Sequence, residues 1–514
     1  MNRTALRSVA AMACALAACA PAVPPSAIAK IPTAPAPAPA ATDAVPPPPK
    51  HVFRETPDAP FRASAPPLAD ALPHGMPPVH TFHLANGVPV YLLEQHASGF
   101  LRIQFLLQAR EAPLGANAMA ARGLWYGTSS LPMAQFRAAT DGEMAAPGFS
   151  CDWGWFRATM TTTSDRAASS IARLAEVVLR PAFPASEIIS SIRAAADENA
   201  PLDTAPPSIA ARVLPAALYG LPQPEDELSE LRSGDLGALS RNEVANAYAA
   251  ALDSSPAALL VLGDTNEKTV RPLLEKSFGA WHGKKRPSSA KTTRLTLATS
   301  SPRLVVVDHP GSRTWVTFGG EGPAYPSADW APLQVLRGLL NGSKGRAATL
   351  VHDPSLFTSE PALERSAKPS APRVAFNGEV PTARTGEALA AMDRVLRAMK
   401  TADVTVDELE RERRRLVTSE MASSSTLAGE NDVVAGLVIQ QLPPDDVPKR
   451  PARFLAVGAD DVRRVGARYL DPDRMKIVVV GDWAKLRDQL LNLGWGPVEL
   501  RDERGALLPS RGVP

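Results

Sequence analysis

The chain repeats part of its own pattern at a long, fixed distance. Three dipeptides recur with similar chemistry 218 residues further on, as from position 243 to position 461. The pairs are Glu243-Val244 with Asp461-Val462, Leu252-Asp253 with Leu470-Asp471, and Gly263-Asp264 with Gly481-Asp482. Solenoid repeats recur about every 20 to 50 residues, so a period of this length indicates duplicated domains. We therefore predict two similar halves.

Both copies predict the same order of secondary structure. A helix with a polar cap and a short Leu-Asp turn precede an apolar strand, and a Gly-Asp turn and a second helix follow it. The strands are Leu259–Leu262 and Ile477–Val480. Strands at Val88–Glu94 and Leu101–Leu107 correspond loosely to Leu304–Asp308 and Trp315–Phe318, and helices at Arg166–Leu179 and Gly386–Lys400 each carry one apolar face. The pattern predicts an α+β fold.

Length and charge limit the classes of protein that this chain can belong to. Its 514 residues exceed one ordinary core, so two or more domains are expected. The 55 Lys and Arg residues nearly balance 53 Asp and Glu, which provides no field to attract nucleic acid. We predict an N-terminal half at 79–283, a linker rich in Ser, Thr and Lys at 284–302, a C-terminal half at 303–499 and a tail at 500–514.

The N-terminus has the features of a targeting segment. Arg3 and Arg7 precede an apolar stretch that ends in Leu16-Ala-Ala-Cys19, which resembles a bacterial lipoprotein signal. The resemblance implies removal of residues 1–18, lipidation of Cys19 and an outer-membrane location. The alternative is an ordinary secretory signal in which Cys19 is incidental. We predict that residues 19–78 form a Pro/Ala-rich tether, because 18 prolines lie between positions 20 and 78.

The segment from Gly115 to Thr128 has the outline of a metal-binding helix without the metal-binding groups. It resembles the signature of the M16 peptidases, relatives of insulinase, pitrilysin and mitochondrial processing peptidase. In that signature Gly and two residues precede His-x-x-Glu-His, and Gly-Thr follows. The three catalytic positions here are Ala118, Ala121 and Arg122. The resemblance extends from about position 79 to 499 and implies two homologous domains, each with a mainly antiparallel sheet and helices stacked on one side.

The replaced residues remove the chemistry that zinc requires. Two imidazoles four residues apart on a helix reach one Zn²⁺, and a carboxylate beside them takes a proton from the bound water. Alanine has no donor atom, and the Arg122 cation opposes a second cation. The family's third ligand lies about where Glu198 stands, 76 positions after Arg122 (198 minus 122). One carboxylate does not make a site, so we predict neither bound zinc nor turnover.

We predict that the second half has similarly lost the residues that hold a peptide substrate. The resemblance implies an Arg and a Tyr that hold the peptide backbone after a Gly-rich turn, and Leu340–Arg346 keeps that turn loosely. His352 and Phe357 stand nearest to those two positions, unless a shift of register hides a retained pair. The basic run 411–415 follows acidic residues at helical spacing, which predicts a solvated, self-paired face. Cys151 alternates with tryptophans, which indicates a buried strand thiol.

Together these features suggest a peptidase relative that has lost catalysis. The resemblance implies a non-catalytic subunit of a heterodimer, which adds chamber wall and peptide contacts to an active M16 zinc peptidase paralogue. Its expected contacts are peptides or unfolded segments, and the membrane through the lipid anchor, with no nucleic acid and no cofactor. Two alternatives remain: an active zinc metalloendopeptidase with unrecognised ligands, and a structural scaffold subunit without a protease partner.

Overall fold

A computed structural model describes most of the chain from residue 76 onward. The described residues are 76–220, 231–282, 295–298, 302–342, 345–350, 353–366, 371–401 and 403–508. The predicted signal segment, Cys19, almost all of the tether and most of the linker lie outside them. The described residues form one compact unit that contains both halves.

Each half alternates strands with helices, as the repeat predicts. The first half contains β1 (His80–His83), β2 (Pro89–Glu94), β3 (Phe100–Gln108), α1 (Ala116–Gly123), α2 (Met133–Gly142), β4 (Ala146–Asp152), β5 (Trp155–Thr163), α3 (Ala167–Leu179), α4 (Ala185–Asp203), α5 (Pro206–Tyr219), α6 (Ser233–Gly237), α7 (Arg241–Ser254), β6 (Ala257–Gly263) and α8 (Glu267–Phe278). The second contains β7 (Leu304–Asp308), β8 (Arg313–Glu321), α9 (Trp330–Leu340), α10 (Arg346–Leu350), β9 (Ala362–Ser366), β10 (Arg373–Pro381), α11 (Thr385–Thr401), α12 (Val406–Ser423), α13 (Leu427–Ile439), α14 (Asp446–Leu455), α15 (Ala459–Tyr469), β11 (Lys476–Gly481), α16 (Trp483–Leu491) and β12 (Val498–Arg501).

The strands form two six-stranded sheets with the orders β1-β2-β6-β3-β5-β4 and β12-β7-β11-β8-β10-β9. In the first sheet β2 pairs with β6 in parallel and the other neighbours pair antiparallel, with Ile103 opposite Val261. In the second sheet β7 runs parallel to both β11 and β12, and Val316 lies opposite Val479. These sheets are mixed, with antiparallel pairings in the majority, and they confirm the predicted α+β class.

The repeated residues serve the same structural purposes in both halves. Glu243 and Asp461 occupy the third position of α7 and α15, where their carboxylates accept hydrogen bonds from the backbone N–H groups of Ser240 (2.7 Å) and Gly458 (3.0 Å). One prediction was wrong in detail: Leu252-Asp253 lies inside the last turn of α7 and not in a separate turn.

Gly263 ends β6 at a point where a side chain cannot fit. Its φ is +120°, and an added Cβ would lie 2.2 Å from the carbonyl oxygen of Phe100 on β3. Gly481 at the end of β11 is similarly confined, since an added Cβ would lie 2.5 Å from the Thr314 hydroxyl. Both repeats therefore need glycine at this position, because the neighbouring strand lies too close for a side chain.

One face of each sheet is covered by a helix from the other half. Helix α5 belongs to the first half by sequence, and it packs on β8 and β11 of the second sheet through Val213 and Leu214. Helix α13 belongs to the second half, and it packs on β3 and β6 of the first sheet through Val434 and Val438. The exchange buries both faces of the central strands, and all seven residues of β6 are buried as a result.

Within the described part of the chain, no helix combines the length and the apolar character that crossing a membrane requires.

Candidate functional site

Helix α1 carries the altered motif, and its start is fixed by a glycine. Gly115 caps the helix with φ +82°, a conformation that residues with a side chain rarely adopt. An added Cβ at Gly115 would lie 3.0 Å from Leu231 and from Leu236. At the other end, an added Cβ at Gly123 would lie 2.7 Å from Phe183. The glycines of the motif therefore allow α1 to pack closely against its neighbours.

The two alanines of the motif lie in the core of the first half. Ala118 is 7% exposed and Ala121 is 1% exposed, and both belong to the main apolar cluster of that half. Their methyl groups offer no lone pair to a metal. Both positions that would carry a ligand or the general base therefore contribute only apolar packing.

Arg122 forms a two-pronged ion pair with Glu198 of α4. One guanidinium nitrogen, Nη1, donates to Oε2 at 2.8 Å, and the other, Nη2, donates to Oε1 at 3.0 Å. Arginine and carboxylate match in this parallel geometry, which fixes direction as well as distance. The structure thus brings together two of the residues that the sequence singles out, through an ion pair and not through a shared metal.

The electrostatics of this pair follow from its hydrogen bonds. The bond to Glu198 raises the pKa of Arg122, and the same bond holds the pKa of the Glu198 carboxyl below its usual range. The side chains are 32% and 57% exposed, so water screens their attraction. The pair keeps both groups charged at every pH near neutrality but contributes little to stability.

The Gly-Thr end of the motif keeps a structural role. The Thr128 hydroxyl accepts from the backbone N–H of Leu131 at 2.9 Å and donates to the Glu176 carboxylate at 3.0 Å. Ser130 donates to the same carboxylate oxygen at 2.7 Å. An added Cβ at Gly127 would lie 2.2 Å from the Leu131 carbonyl oxygen. These contacts explain how the outline of the motif persists without its ligands.

The donor set does not fit a zinc ion. A catalytic zinc site has three protein ligands and one open position. At the motif the available oxygens belong to Glu198, and both already accept hydrogen bonds from a cation. Across the described residues there is no group of three His, Cys, Asp or Glu side chains that could hold a metal.

The remaining predicted positions lie elsewhere. His352 lies outside the described residues. Phe357 packs against the core of the second half, where an added Cβ on Gly378 of β10 would lie 2.9 Å from its ring. Cys151 is buried on β4, as predicted.

Three arginines of the basic run on α12, Arg413, Arg414 and Arg415, form ion pairs, and one of the carboxylate partners is buried. Arg414 donates to Glu410, and Arg415 donates to both carboxylate oxygens of Glu412 at 2.6 to 3.0 Å. The Glu412 side chain is 7% exposed, so the predicted solvated face was only partly right.

Sequence reasoning missed a second copy of the arginine. Arg122-Gly-Leu-x-x-Gly-Thr128 recurs as Arg337-Gly-Leu-x-x-Gly-Ser343, shifted by 215 residues (337 minus 122). The first copy lies on α1, which contacts α4 and α7, and the second ends α9, which contacts α12 and α15. The two arginines therefore hold equivalent places in the two halves. The recurring Arg-Gly-Leu-x-x-Gly was the signal that could have revealed this.

Comparisons with known proteins agree with the fold. Residues 238–416 match the family described as "Peptidase M16 inactive domain". That segment begins at the end of α6 and ends in α12, so it includes Arg337 and does not include the motif on α1. No curated protein sequence matches the chain.

Solved structures share the architecture at low sequence identity. A peptidase M16 inactive domain from Pseudomonas fluorescens aligns with a TM-score of 0.68 and 18% identity, covering 78% of this chain and 98% of that one. A protease from Helicobacter pylori aligns with a TM-score of 0.67 and 17% identity, covering 79% and 100%. The periplasmic protease PqqL from Escherichia coli aligns with a TM-score of 0.65 and 14% identity, covering 83% of this chain and 49% of PqqL.

These matches show a fold similar to that of solved M16 proteins. More particularly, residues 238–416 form a segment that matches the M16 inactive-domain family.

Proposed function

We propose that this chain is a catalytically inactive M16 peptidase-like lipoprotein that acts as the non-catalytic subunit of a heterodimeric zinc peptidase. In that role it supplies chamber wall and peptide contacts, and an active paralogue with an intact His-x-x-Glu-His motif supplies the zinc and the hydrolysis. Cys19 carries the lipid that anchors the chain to the outer membrane.

The observation that carries the proposal is the Arg122–Glu198 ion pair. A cation fixed at the place of a metal ligand, hydrogen-bonded to the remaining carboxylate at 2.8 and 3.0 Å, opposes the binding of Zn²⁺. The motif nevertheless keeps the glycines and the Thr128 contacts that shape the loop after α1. A subunit that has lost its metal ligands but still contacts a partner or a peptide is expected to keep the shape of this region.

The test begins with the chain itself. The full-length protein is extracted from membranes with detergent under conditions that preserve complexes, and the bound proteins are identified by mass spectrometry. The proposal expects a stoichiometric M16 chain with His-x-x-Glu-His. Purified separately, this chain contains no zinc and cleaves no peptide. Adding it to the partner raises kcat/KM of the partner for peptides.

Each alternative gives a distinct result. Stoichiometric zinc together with hydrolysis by the isolated chain means an active peptidase, and the proposal fails. A chain that purifies without any M16 partner, and leaves the activity of its paralogues unchanged, favours a structural scaffold.

The anchor is tested separately with Cys19→Ala. Wild-type protein incorporates labelled fatty acid and fractionates with the outer membrane, whereas the variant does neither. The matched control is Cys14→Ala, which removes a cysteine five residues upstream and leaves lipidation intact. Equal labelling of Cys19→Ala and wild type contradicts the anchor.

A further inference from the structure

The second half contains a cavity that the proposed function does not use. It has a volume of about 520 Å³ and lies between the C-terminal end of α9 and helix α12. The polar side chains that line it are those of Arg337, Asn341, Glu408, Arg411, Glu412 and Arg415. It is therefore built around the second copy of the repeated arginine.

Both carboxylates in the cavity are already neutralised. Arg415 donates two hydrogen bonds to Oε1 and one to Oε2 of Glu412. Glu408 accepts from Arg346 at 2.8 Å and from the backbone N–H of Thr405 at 3.0 Å. The guanidinium groups of Arg337 and Arg411 have no hydrogen-bond or ion-pair partner in the described part of the chain. These two guanidinium groups thus remain without a hydrogen-bonded counter-charge, although the Glu412 and Glu364 carboxylates act on Arg337 through space.

Arg337 is also partly removed from water. Burial, together with the nearby Arg415 cation, lowers its pKa, although Glu412 and Glu364 oppose this shift. Arg365 on β9 is more strongly affected, since burial and the Arg337 cation lower its pKa to about 10. A half-buried, unpaired cation is unfavourable unless an anion approaches it. The C-terminal dipole of α9 supplies roughly half a negative charge, which is less than either unpaired arginine carries.

The cavity wall is fixed in position. Asn341 ends α9, and its side chain accepts from the backbone N–H of Leu363 at 2.8 Å and donates to the Leu363 carbonyl at 2.9 Å. This pair of bonds joins the end of α9 to β9. An added Cβ at Gly338 would lie 1.5 Å from a Glu412 oxygen, so the glycine allows α12 to lie close to α9. Arg337 is therefore presented by a preorganised wall.

We propose that this cavity binds a carboxylate group of a peptide, with Arg337 as the main donor and Arg411 as the second. A guanidinium matches a carboxylate with two parallel hydrogen bonds. A monoanion suits the site better than a phosphate dianion, because the carboxylates of Glu408 and Glu412 also line the cavity. The inference rests on the proposed peptide-binding role for the class of ligand. The carboxylate comes either from a peptide C-terminus or from an Asp or Glu side chain.

The experiment measures binding to the isolated full-length chain by titration calorimetry. The probes are a neutral decapeptide with a free C-terminal carboxylate, the same peptide amidated, an amidated peptide with one Asp, and inorganic phosphate. The proposal expects binding of at least one of the two carboxylate peptides and none of the amidated neutral peptide. Arg337→Gln weakens that binding by roughly tenfold to a hundredfold, the usual effect of losing a charged hydrogen-bond donor.

The matched control is Arg394→Gln, which removes an exposed arginine on α11 and leaves the affinity unchanged. Thermal unfolding shows whether Arg337→Gln is folded, and its Tm is expected to equal or exceed that of wild type because an unpaired cation is removed. Equal peptide affinity in Arg337→Gln and wild type overturns the proposal, as does binding of phosphate alone or of no probe. The assay needs no partner subunit, so its failure is separate from failure of the heterodimer.

Discussion

The geometry of the Arg122–Glu198 pair predicts that two substitutions, Ala118→His and Arg122→His, create a zinc site. The two imidazoles lie four residues apart on α1 and share one face. Glu198 is already close, at 2.8 and 3.0 Å from the guanidinium nitrogens. Two bonds of about 2 Å at the tetrahedral angle of zinc hold the ligand nitrogen and oxygen roughly 3.3 Å apart. Because imidazole is shorter than the arginine side chain, the Glu198 side chain, which is 57% exposed, has to move toward α1 to complete the site.

The expected stabilities follow from exposure and volume. Losing a pair whose members are 32% and 57% exposed costs about 0.5 to 1 kcal/mol. Ala118 is 7% exposed, and placing an imidazole there costs roughly 1 to 3 kcal/mol through overpacking. Without metal, the free energy of unfolding of the variant is therefore about 1.5 to 4 kcal/mol below wild type. Zinc at a concentration about 100 times its Kd raises the free energy of unfolding of the variant by about 2.7 kcal/mol.

The assay is thermal unfolding of wild type and variant with zinc and with a chelator. The Tm of the double variant is expected to rise with zinc to near the wild-type value, and the Tm of wild type does not change. Arg122→Gln is the control, because it removes the cation without adding a ligand and does not respond to zinc. A folded double variant that ignores zinc, or a wild-type Tm that rises with zinc, refutes the reasoning.

Three further predictions concern stability. Asp446→Asn lowers the free energy of unfolding by roughly 3 to 5 kcal/mol in denaturant titrations, because this carboxylate, 4% exposed, accepts from Arg450, Arg453 and Tyr325. The hydrogen bond from Arg346 lowers the pKa of Glu408 from 4.5 to about 2. The stability that the ionised Glu408 contributes is therefore complete above pH 4.5 and is lost as the pH falls toward 2. In Glu408→Gln, Tm is expected to fall less over that pH range than in wild type. Calorimetry of wild type is expected to show a single unfolding transition for both halves. Val434→Asp buries a charge between α13 and the first sheet, so this variant is expected to show no unfolding transition rather than two separate ones.

The sequence contained the local part of the fold and of the candidate site. Apolar periodicity predicted a helix from position 166 to 179, and α3 spans Ala167–Leu179. The repeated Glu243 and Asp461 predicted equivalent helix starts, because each carboxylate caps the backbone N–H of a residue only three positions earlier. The family resemblance placed Glu198, 76 positions after Arg122, at the position of the third metal ligand, and the structure shows that it lies beside Arg122 and pairs with it.

The exchange of covering helices could not be predicted in the same way. Helix α13 is apolar on most sides, which indicates burial but does not say against what. Whether it packs on its own sheet or on the first one depends on contacts between residues more than 300 positions apart, such as Asn431 with Gln104. Amino-acid periodicity carries no information about such distant partners.

The repeated arginines differ in their ion pairing because of one position on the neighbouring helix. Three residues after Glu198 stands Pro201, whereas three residues after Glu412 stands Arg415, which captures that carboxylate. Glu198 is therefore available to Arg122, and Arg337 is left unpaired. This account predicts that Arg415→Ala frees Glu412 to pair with Arg337, so carboxylate peptides bind at least several-fold more weakly in calorimetry. Adding Glu412→Gln to that variant restores the affinity. If affinity stays low in the double variant, Arg415 itself contacts the ligand and the comparison between the halves does not hold.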